Sequence, residues 1–296
     1  MNQPRVKVHL KDGIDPPMVI GLLRWPDGMD FEDRAIVVAD AFGLADTAAQ
    51  PIILAKGPVL AATMPATMAF PALVKLRDLG IRAAICPGGY KDEPLRVKRM
   101  IPGAGVPPEM YCAEFWRSDE GRPFPTKDIA ALVRGTISVA KKTSAVDRID
   151  AMRDASGFAS SGGILGRSLA QTLDAAEENV AHAGMPAMTD AIEVLDVFLR
   201  DRTWLRCDGR KFGFMDQPEK GPTDRYNTDV LTSTLGEAAP GSMIDLGFSQ
   251  LRVLPGVLER ARARIGPRKV QKSDPESVFD FYSGMIGLLA TEAYQH

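Results

Sequence analysis

The spacing of apolar residues along the chain changes at about residue 125. Up to Pro125, short apolar runs are separated by prolines and glycines, which is typical of short helices and strands joined by turns. From Thr126 onward, apolar residues recur with a period near 3.6, as they do on the buried face of an amphipathic helix. We therefore predict a mainly α-helical fold, in which a helical domain at 126–296 follows a mixed α/β region, or a set of extended arms, at 1–125.

The N-terminal region contains a few elements with recognisable ends. Asp30, with an acid three residues later, predicts the start of a helix that ends at Gly43. A second helix is predicted over 67–79 and is followed by an apolar strand over 81–86. Over 95–100 apolar and cationic residues alternate, which predicts an exposed strand with one basic face.

The C-terminal region is predicted to be a succession of helices. Thr126 and Ser144 have the polar character of N-cap residues, and Pro275 follows a Ser-Asp pair as proline does at a first helical position. Between the helices, residues 206–247 are rich in glycine, proline and aspartate and are predicted to form loops. The predicted helices begin near Thr126, Ser144, Ile164, Ile192, Gly256 and Ser273.

Composition limits the class of protein. The chain has 296 residues, of which 45% are hydrophobic and 25% charged, as in an ordinary globular protein. Its apolar runs are far shorter than the ~20 residues that cross a bilayer. Its first residues lack the pattern of a secretory signal, so we expect a cytoplasmic protein with no membrane contact. The net charge of −2 excludes a chain that is basic throughout, so any nucleic-acid surface is local.

Residues with catalytic or metal-binding chemistry are few. The three cysteines are widely spaced and are not grouped with histidines, so they do not form a zinc pattern. Only three histidines occur, one of them the last residue, and histidine is the usual general base near neutral pH. No phosphate-loop or triad pattern is present. We therefore predict no catalytic residue, no metal and no cofactor.

Positive charge is concentrated in one segment, Arg252 to Lys272, which holds seven cations and a single acid, Glu259. Arg260 and Arg264 are one helical turn apart and share a face. Such a strip favours contact with a phosphate backbone without recognition of the bases. The alternative is a solvated face whose charge is balanced elsewhere in the fold. The candidate nucleic-acid-binding residues are Arg260, Arg262, Arg264, Arg268, Lys269 and Lys272.

Residues 279–282, Phe-Asp-Phe-Tyr, follow this basic segment. They resemble the F-D-x-[FY] core motif of the coat proteins of flexuous filamentous viruses. The resemblance implies a helical protein that polymerises around single-stranded RNA. It also implies that Asp280 forms a structural ion pair with an arginine near the RNA groove, although the sequence does not identify that arginine.

Two functional hypotheses follow from these patterns. The first is a non-enzymatic, self-associating structural subunit, with a coat or nucleocapsid-type protein as its specific form. Its partners would be itself and single-stranded RNA or another nucleic acid. The second is an enzyme or small-molecule-binding protein with a site near the turn Pro87-Gly88-Gly89. An adaptor in a larger complex would share the first hypothesis's lack of catalysis but would not assemble with itself.

Overall fold

The structure, a computed structural model, describes residues 15–44, 46–88, 92–103, 109–116, 121–140, 189–214, 221–263 and 275–292. Within these ranges it contains six α-helices and eleven β-strands, and the strands form a four-stranded and a seven-stranded sheet. The fold is mixed α/β, so the predicted mainly α-helical fold is wrong. The chain divides into two compact units, Met1–Ile137 with Ile192–His296, and Ser138–Ala191.

The four-stranded sheet is built mainly by the N-terminal region. The strand β1 (Pro17–Arg24) is antiparallel to both β2 (Val59–Pro65) and β3 (Arg82–Pro87), and the short strand β11 (Arg252–Val253) pairs in parallel with β2, giving the order β11-β2-β1-β3. In chain order the elements of the N-terminal region that build and cover this sheet are β1 (Pro17–Arg24), α1 (Phe31–Phe42), α2 (Asp46–Ile53), β2 (Val59–Pro65), α3 (Ala66–Asp78) and β3 (Arg82–Pro87).

Helices cover both faces of this sheet. Alternate residues of β1, among them Met18 and Ile20, share a core with α1, α2 and α3. On the opposite face, Gly21 approaches Met285 of the C-terminal helix, and the hydroxyl of Thr63 donates to the Val257 carbonyl at 2.6 Å. Because successive side chains of a strand point to opposite faces, the four-stranded sheet is a layer between two sets of helices.

The seven-stranded sheet has the order β10-β7-β8-β9-β4-β5-β6. One of its faces packs on helix α4 through residues such as Leu231 and Leu235. Its strands are β4 (Leu95–Pro102), β5 (Met110–Phe115), β6 (Gly121–Pro125), β7 (Ile129–Ala140), β8 (Thr189–Leu199), β9 (Trp204–Asp208) and β10 (Met243–Asp245). The remaining elements are α4 (Asp224–Ala238), β11 (Arg252–Val253), α5 (Val257–Ala263) and α6 (Pro275–Glu292).

The helices predicted near Thr126 and Ile192 are wrong, because these segments form the strands β7 and β8. Residues 129–133 and 192–199 are buried throughout. Residues 129–133 of β7 are a continuous apolar run, as is typical of a strand covered on both faces, and such a run also contains the positions of a helical pattern. In β8 the buried charges Glu193 and Asp196 interrupt the apolar residues, which gave the remaining ones a helical spacing. Burial in the folded chain, and not the spacing of apolar residues, therefore determines that these segments are strands. The helix α4 was missed because polar residues, Asn227, Thr228 and Thr232, occupy part of its buried face.

Other predicted elements are confirmed. The Asp30 carboxylate accepts a hydrogen bond from the Asp33 amide at 2.8 Å, and α1 ends at Gly43, whose φ is +63°. The strand and helix predicted after α1 appear as β3 and α3, and 95–100 falls within β4. The helices predicted near Gly256 and Ser273 appear as α5 and α6. The helices predicted near Ser144 and Ile164 lie outside the described residues.

Candidate functional site

Helix α6 contacts both sheets through glycines. A Cβ placed at Gly21 of β1 would lie 2.5 Å from the Met285 Cε. A Cβ at Gly135 of β7 would lie 2.5 Å from the Phe279 ring, and Gly287 of α6 is similarly close to the Phe198 ring. These contacts bring the helix closer to the strands than any side chain would allow, and they place Asp280 over the middle of the seven-stranded sheet.

A buried arginine lies under this helix. Arg206 of β9 is 2% exposed, and its guanidinium binds the fully buried Asp196 of β8 through two parallel hydrogen bonds of 2.7 and 2.8 Å. The Ser283 hydroxyl of α6 donates to the same Asp196 carboxylate at 2.6 Å. The third side of the guanidinium faces Asp280, with 2.5 Å between Nη1 and Oδ1. One guanidinium thus joins two strands to α6.

The charges of this cluster affect each other. Burial raises the pKa of the Asp280 carboxyl; the Arg206 guanidinium opposes this, while the negative charges of Asp196 and Glu276 add to it. Although burial opposes it, the carboxylates of Asp196 and Asp280 raise the pKa of Arg206 above its usual value. The Arg206 Cζ lies 5.3 Å from the centroid of the Trp204 ring and 5.0 Å from the centroid of the Phe279 ring.

The cluster continues to the protein surface. Glu276, in the first turn of α6, accepts a hydrogen bond of 2.7 Å from Arg96 of β4. Asp208, which is nearly buried at the end of β9, has Arg96 at 3.6 Å and Arg210 at 3.5 Å from the same oxygen. Each carboxylate therefore has a cation beside it. This arrangement is suited to holding α6 on the sheet, because charges that are already paired stabilise one geometry.

Among the predicted site residues whose side chains the structure describes, Asp280 is the one that lies in this cluster. The resemblance to filamentous coat proteins implied an arginine partner that the sequence did not identify, and the structure places Arg206 beside Asp280. The sequence signal for this partner was Arg206 itself, which alternates with apolar residues within β9. The glycines and prolines that follow favoured a loop there, so the strand was not predicted. The structure brings Asp280 to Arg206 in a mixed α/β fold, whereas the resemblance implied a helical one.

The predicted nucleic-acid-binding residues are only partly described. Arg260 is exposed on α5, and a Cβ at Gly256 would lie 3.3 Å from its Nη1. Arg262 belongs to the same helix. Arg264, Arg268, Lys269 and Lys272 lie outside the described residues. A basic surface formed by these residues stays a prediction.

The turn at Pro87 and Gly88, proposed as the edge of a small-molecule site, is closely packed at Gly88. Its N–H donates to the Pro17 carbonyl at 2.8 Å. A Cβ at Gly88 would lie 2.6 Å from the Cβ of Ala261, so α5 covers this glycine. Gly88 is therefore engaged in strand pairing and helix packing, and its amide is not directed towards a ligand. Gly89 lies outside the described residues.

Exposed apolar side chains gather on the helices of the four-stranded sheet. Among the described residues, twelve large apolar side chains are at least 45% exposed, and half of them lie between Phe31 and Leu79. Five belong to α1, to α3 or to the C-cap of α3: Phe31, Ile36, Met68, Val74 and Leu79. We refer to these five, with the exposed charged residues of the same helices, as the α1–α3 face.

The two helices of this face lie side by side and run in opposite directions. They follow β1 and β2, which are antiparallel, and Lys75 of α3 forms an ion pair with Asp40 of α1. Gly80, after α3, lies beside Pro26, before α1. Ile36 is one turn before Asp40, and Leu79 is one turn after Lys75. Because the helices are antiparallel, both apolar residues lie towards the same end of the helix pair from the Lys75–Asp40 ion pair.

Within the described part of the chain, no group of three or more His, Cys, Asp or Glu side chains is arranged to bind a metal ion. Burial raises the pKa of the Cys86 and Cys207 thiols, which keeps them protonated and unreactive. None of the described helices is long and apolar enough to cross a membrane. Comparison of the chain with protein-family models, with curated proteins and with solved structures finds no match.

Proposed function

We propose that the protein is a self-associating structural subunit that assembles through the α1–α3 face. The observation that carries this proposal is the concentration of half-exposed apolar side chains on two neighbouring helices. Single exposed apolar residues are normal on a protein surface, whereas a group of them on one face is typical of an interaction site.

The size of the apolar contribution limits what the face can do alone. Covering the exposed half of one such side chain contributes about 1 kcal/mol, since full burial contributes about 1.5–3 kcal/mol. Five side chains then supply roughly 5 kcal/mol, near the lower end of the ~4–15 kcal/mol that association costs in lost motion. Apolar burial therefore supports association only together with charge pairing or further contacts.

Light scattering coupled to size-exclusion chromatography tests the proposal. We expect the mass to rise above the 32.0 kDa of one chain as the protein concentration is increased. The double variant Ile36→Asp/Val74→Asp is expected to shift the mass back towards one chain. The matched control is Met110→Asp, which changes a 47% exposed apolar residue of β5. A mass of one chain at every concentration of the wild-type protein would contradict the proposal.

A second candidate function, coating of single-stranded RNA, is favoured by the net charge of +6 that the sequence places in residues 252–272. Its test is the binding of a labelled single-stranded RNA at low and at high salt. We expect binding at low salt that weakens steeply as salt is added. Absence of binding at low salt would exclude this function and would leave self-association unaffected.

A further inference from the structure

The α1–α3 face is acidic as well as apolar. Its exposed charged residues on the two helices are Glu32, Asp33, Asp40, Asp78 and Lys75, which is four carboxylates against one ammonium group. The arginines of the same helices donate to backbone carbonyl groups. Arg34 donates to the Met29 carbonyl and lies over the Trp25 ring, and Arg77 donates to the Ala83 carbonyl.

This excess of negative charge argues against pairing of the face with its own copy. In a two-fold symmetric dimer the same patch meets itself, so that carboxylates of one α1 would approach those of the other. Like charges brought together in an interface oppose binding. The surface that covers the α1–α3 face therefore carries positive charge.

The sequence of the same chain contains a segment of positive charge. The net charge of +6 in residues 252–272 contrasts with −2 for the whole chain. Helix α5, which carries the exposed Arg260 of this segment, packs on the face of the four-stranded sheet opposite to α1 and α3, because the Thr63 hydroxyl donates to the Val257 carbonyl. One copy thus has its acidic face and the start of its basic segment on opposite sides of one sheet.

We propose that a second copy docks on the α1–α3 face through its basic segment, residues 252–272, in a head-to-tail contact. This inference rests on the proposed self-association and names its partner. In a head-to-tail contact two different surfaces meet, and each copy keeps one of each kind free. Repetition of the contact produces a closed ring or an open filament, depending on the rotation between neighbours.

Two charge-reversal variants test the arrangement by complementation. The acceptor variant Asp40→Lys/Asp78→Lys changes the last turns of α1 and α3, where the helix dipole favours cations. The donor variant is Arg268→Glu/Lys269→Glu. Each variant alone is expected to raise the dissociation constant at least tenfold, as measured by analytical ultracentrifugation. An equimolar mixture is expected to form a species of twice the chain mass and no larger one, because each variant retains one working surface.

The matched control Glu109→Lys/Glu237→Lys makes the same change of charge at exposed acids outside the α1–α3 face and is expected to assemble as the wild type does. Circular dichroism and a thermal melt establish that each variant is folded. If the acceptor variant assembles like the wild type, or if the mixture does not complement, the head-to-tail contact is wrong while self-association stands. If the wild-type protein does not assemble at all, both proposals fail.

Discussion

At the scale of single residues, Arg206 is the buried cation of the cluster beneath α6. Its side chain is 2% exposed, and it neutralises the fully buried carboxylate of Asp196. A buried ion pair contributes little compared with apolar residues of the same size, but removal of one partner leaves an isolated buried charge. The cluster is therefore sensitive to single substitutions.

We expect Arg206→Met to lower the free energy of unfolding by about 3–5 kcal/mol, since the Asp196 carboxylate would remain buried without its cation. Urea denaturation followed by circular dichroism measures the change. The control is Arg122→Met, which removes one partner of the exposed pair with Asp201 and is expected to cost about 0–1 kcal/mol. Equal effects of the two substitutions would show that the cluster does not stabilise the fold as its geometry indicates.

The raised pKa of Asp280 predicts a pH dependence with a definite sign. A folded chain that binds this proton more tightly than the unfolded chain is more stable below the ordinary aspartate pKa of about 4, and loses that contribution as the pH rises through the raised value. The unfolding free energy of the wild type relative to Asp280→Asn should therefore increase as the pH is lowered from neutrality.

Urea denaturation of both proteins over a series of pH values measures this difference, because the titration of groups distant from Asp280 cancels between them. A difference that instead falls on acidification would mean that the attraction of Arg206 outweighs the burial of Asp280 and the charges of Asp196 and Glu276. The ion pair would then lower the pKa of Asp280.

At the scale of elements, helix α6 is positioned by close contact rather than by propensity. Gly287 lies in the middle of this helix, where glycine costs about 1 kcal/mol relative to alanine. It is tolerated because the Phe198 ring of β8 occupies the space of its missing side chain. Gly236, in α4, differs, since the one atom closer than 3 Å to its side-chain position is the terminal Cδ1 of Ile244, a residue that is 47% exposed.

The same substitution in these two helices should therefore have opposite effects. We expect Gly287→Ala to destabilise the protein by about 1–3 kcal/mol, because the Phe198 ring must move within a packed core. Gly236→Ala should be neutral or stabilising by up to about 1 kcal/mol, because the helix propensity gain meets little resistance. Thermal unfolding of the two variants measures both effects. A loss of stability at both positions would contradict the expectation that the substitutions act in opposite directions.

At the scale of the whole molecule, self-association links stability to protein concentration. A partner that binds the folded chain and not the unfolded chain raises the unfolding temperature by mass action. We expect the melting temperature of the wild type to rise with concentration, and that of Asp40→Lys/Asp78→Lys to stay constant. Differential scanning calorimetry over a concentration series measures both. A constant melting temperature in the wild type would indicate that no folded assembly forms in that range.

Helix ends were the part of the fold that the sequence itself determined. Asp30 and Gly43 mark the ends of α1, and Pro275 begins α6, because capping depends on a few neighbouring backbone groups and on the φ angle of one residue. The basic segment and the Phe-Asp-Phe-Tyr sequence were also visible without a structure, since charge and motif are local properties.

The tertiary structure alone decided what depends on distant residues. Residues 129–133 and 192–199 form strands that are buried on both faces, and the spacing of apolar residues along one segment does not reveal that burial. Arg206 met Asp280 because β9 and α6 pack together across 74 positions of sequence. The α1–α3 face likewise became acidic only when two helices, brought together by antiparallel strands, directed their arginines elsewhere. The sequence specifies local backbone chemistry directly, whereas sites made of distant side chains exist only after the chain has folded.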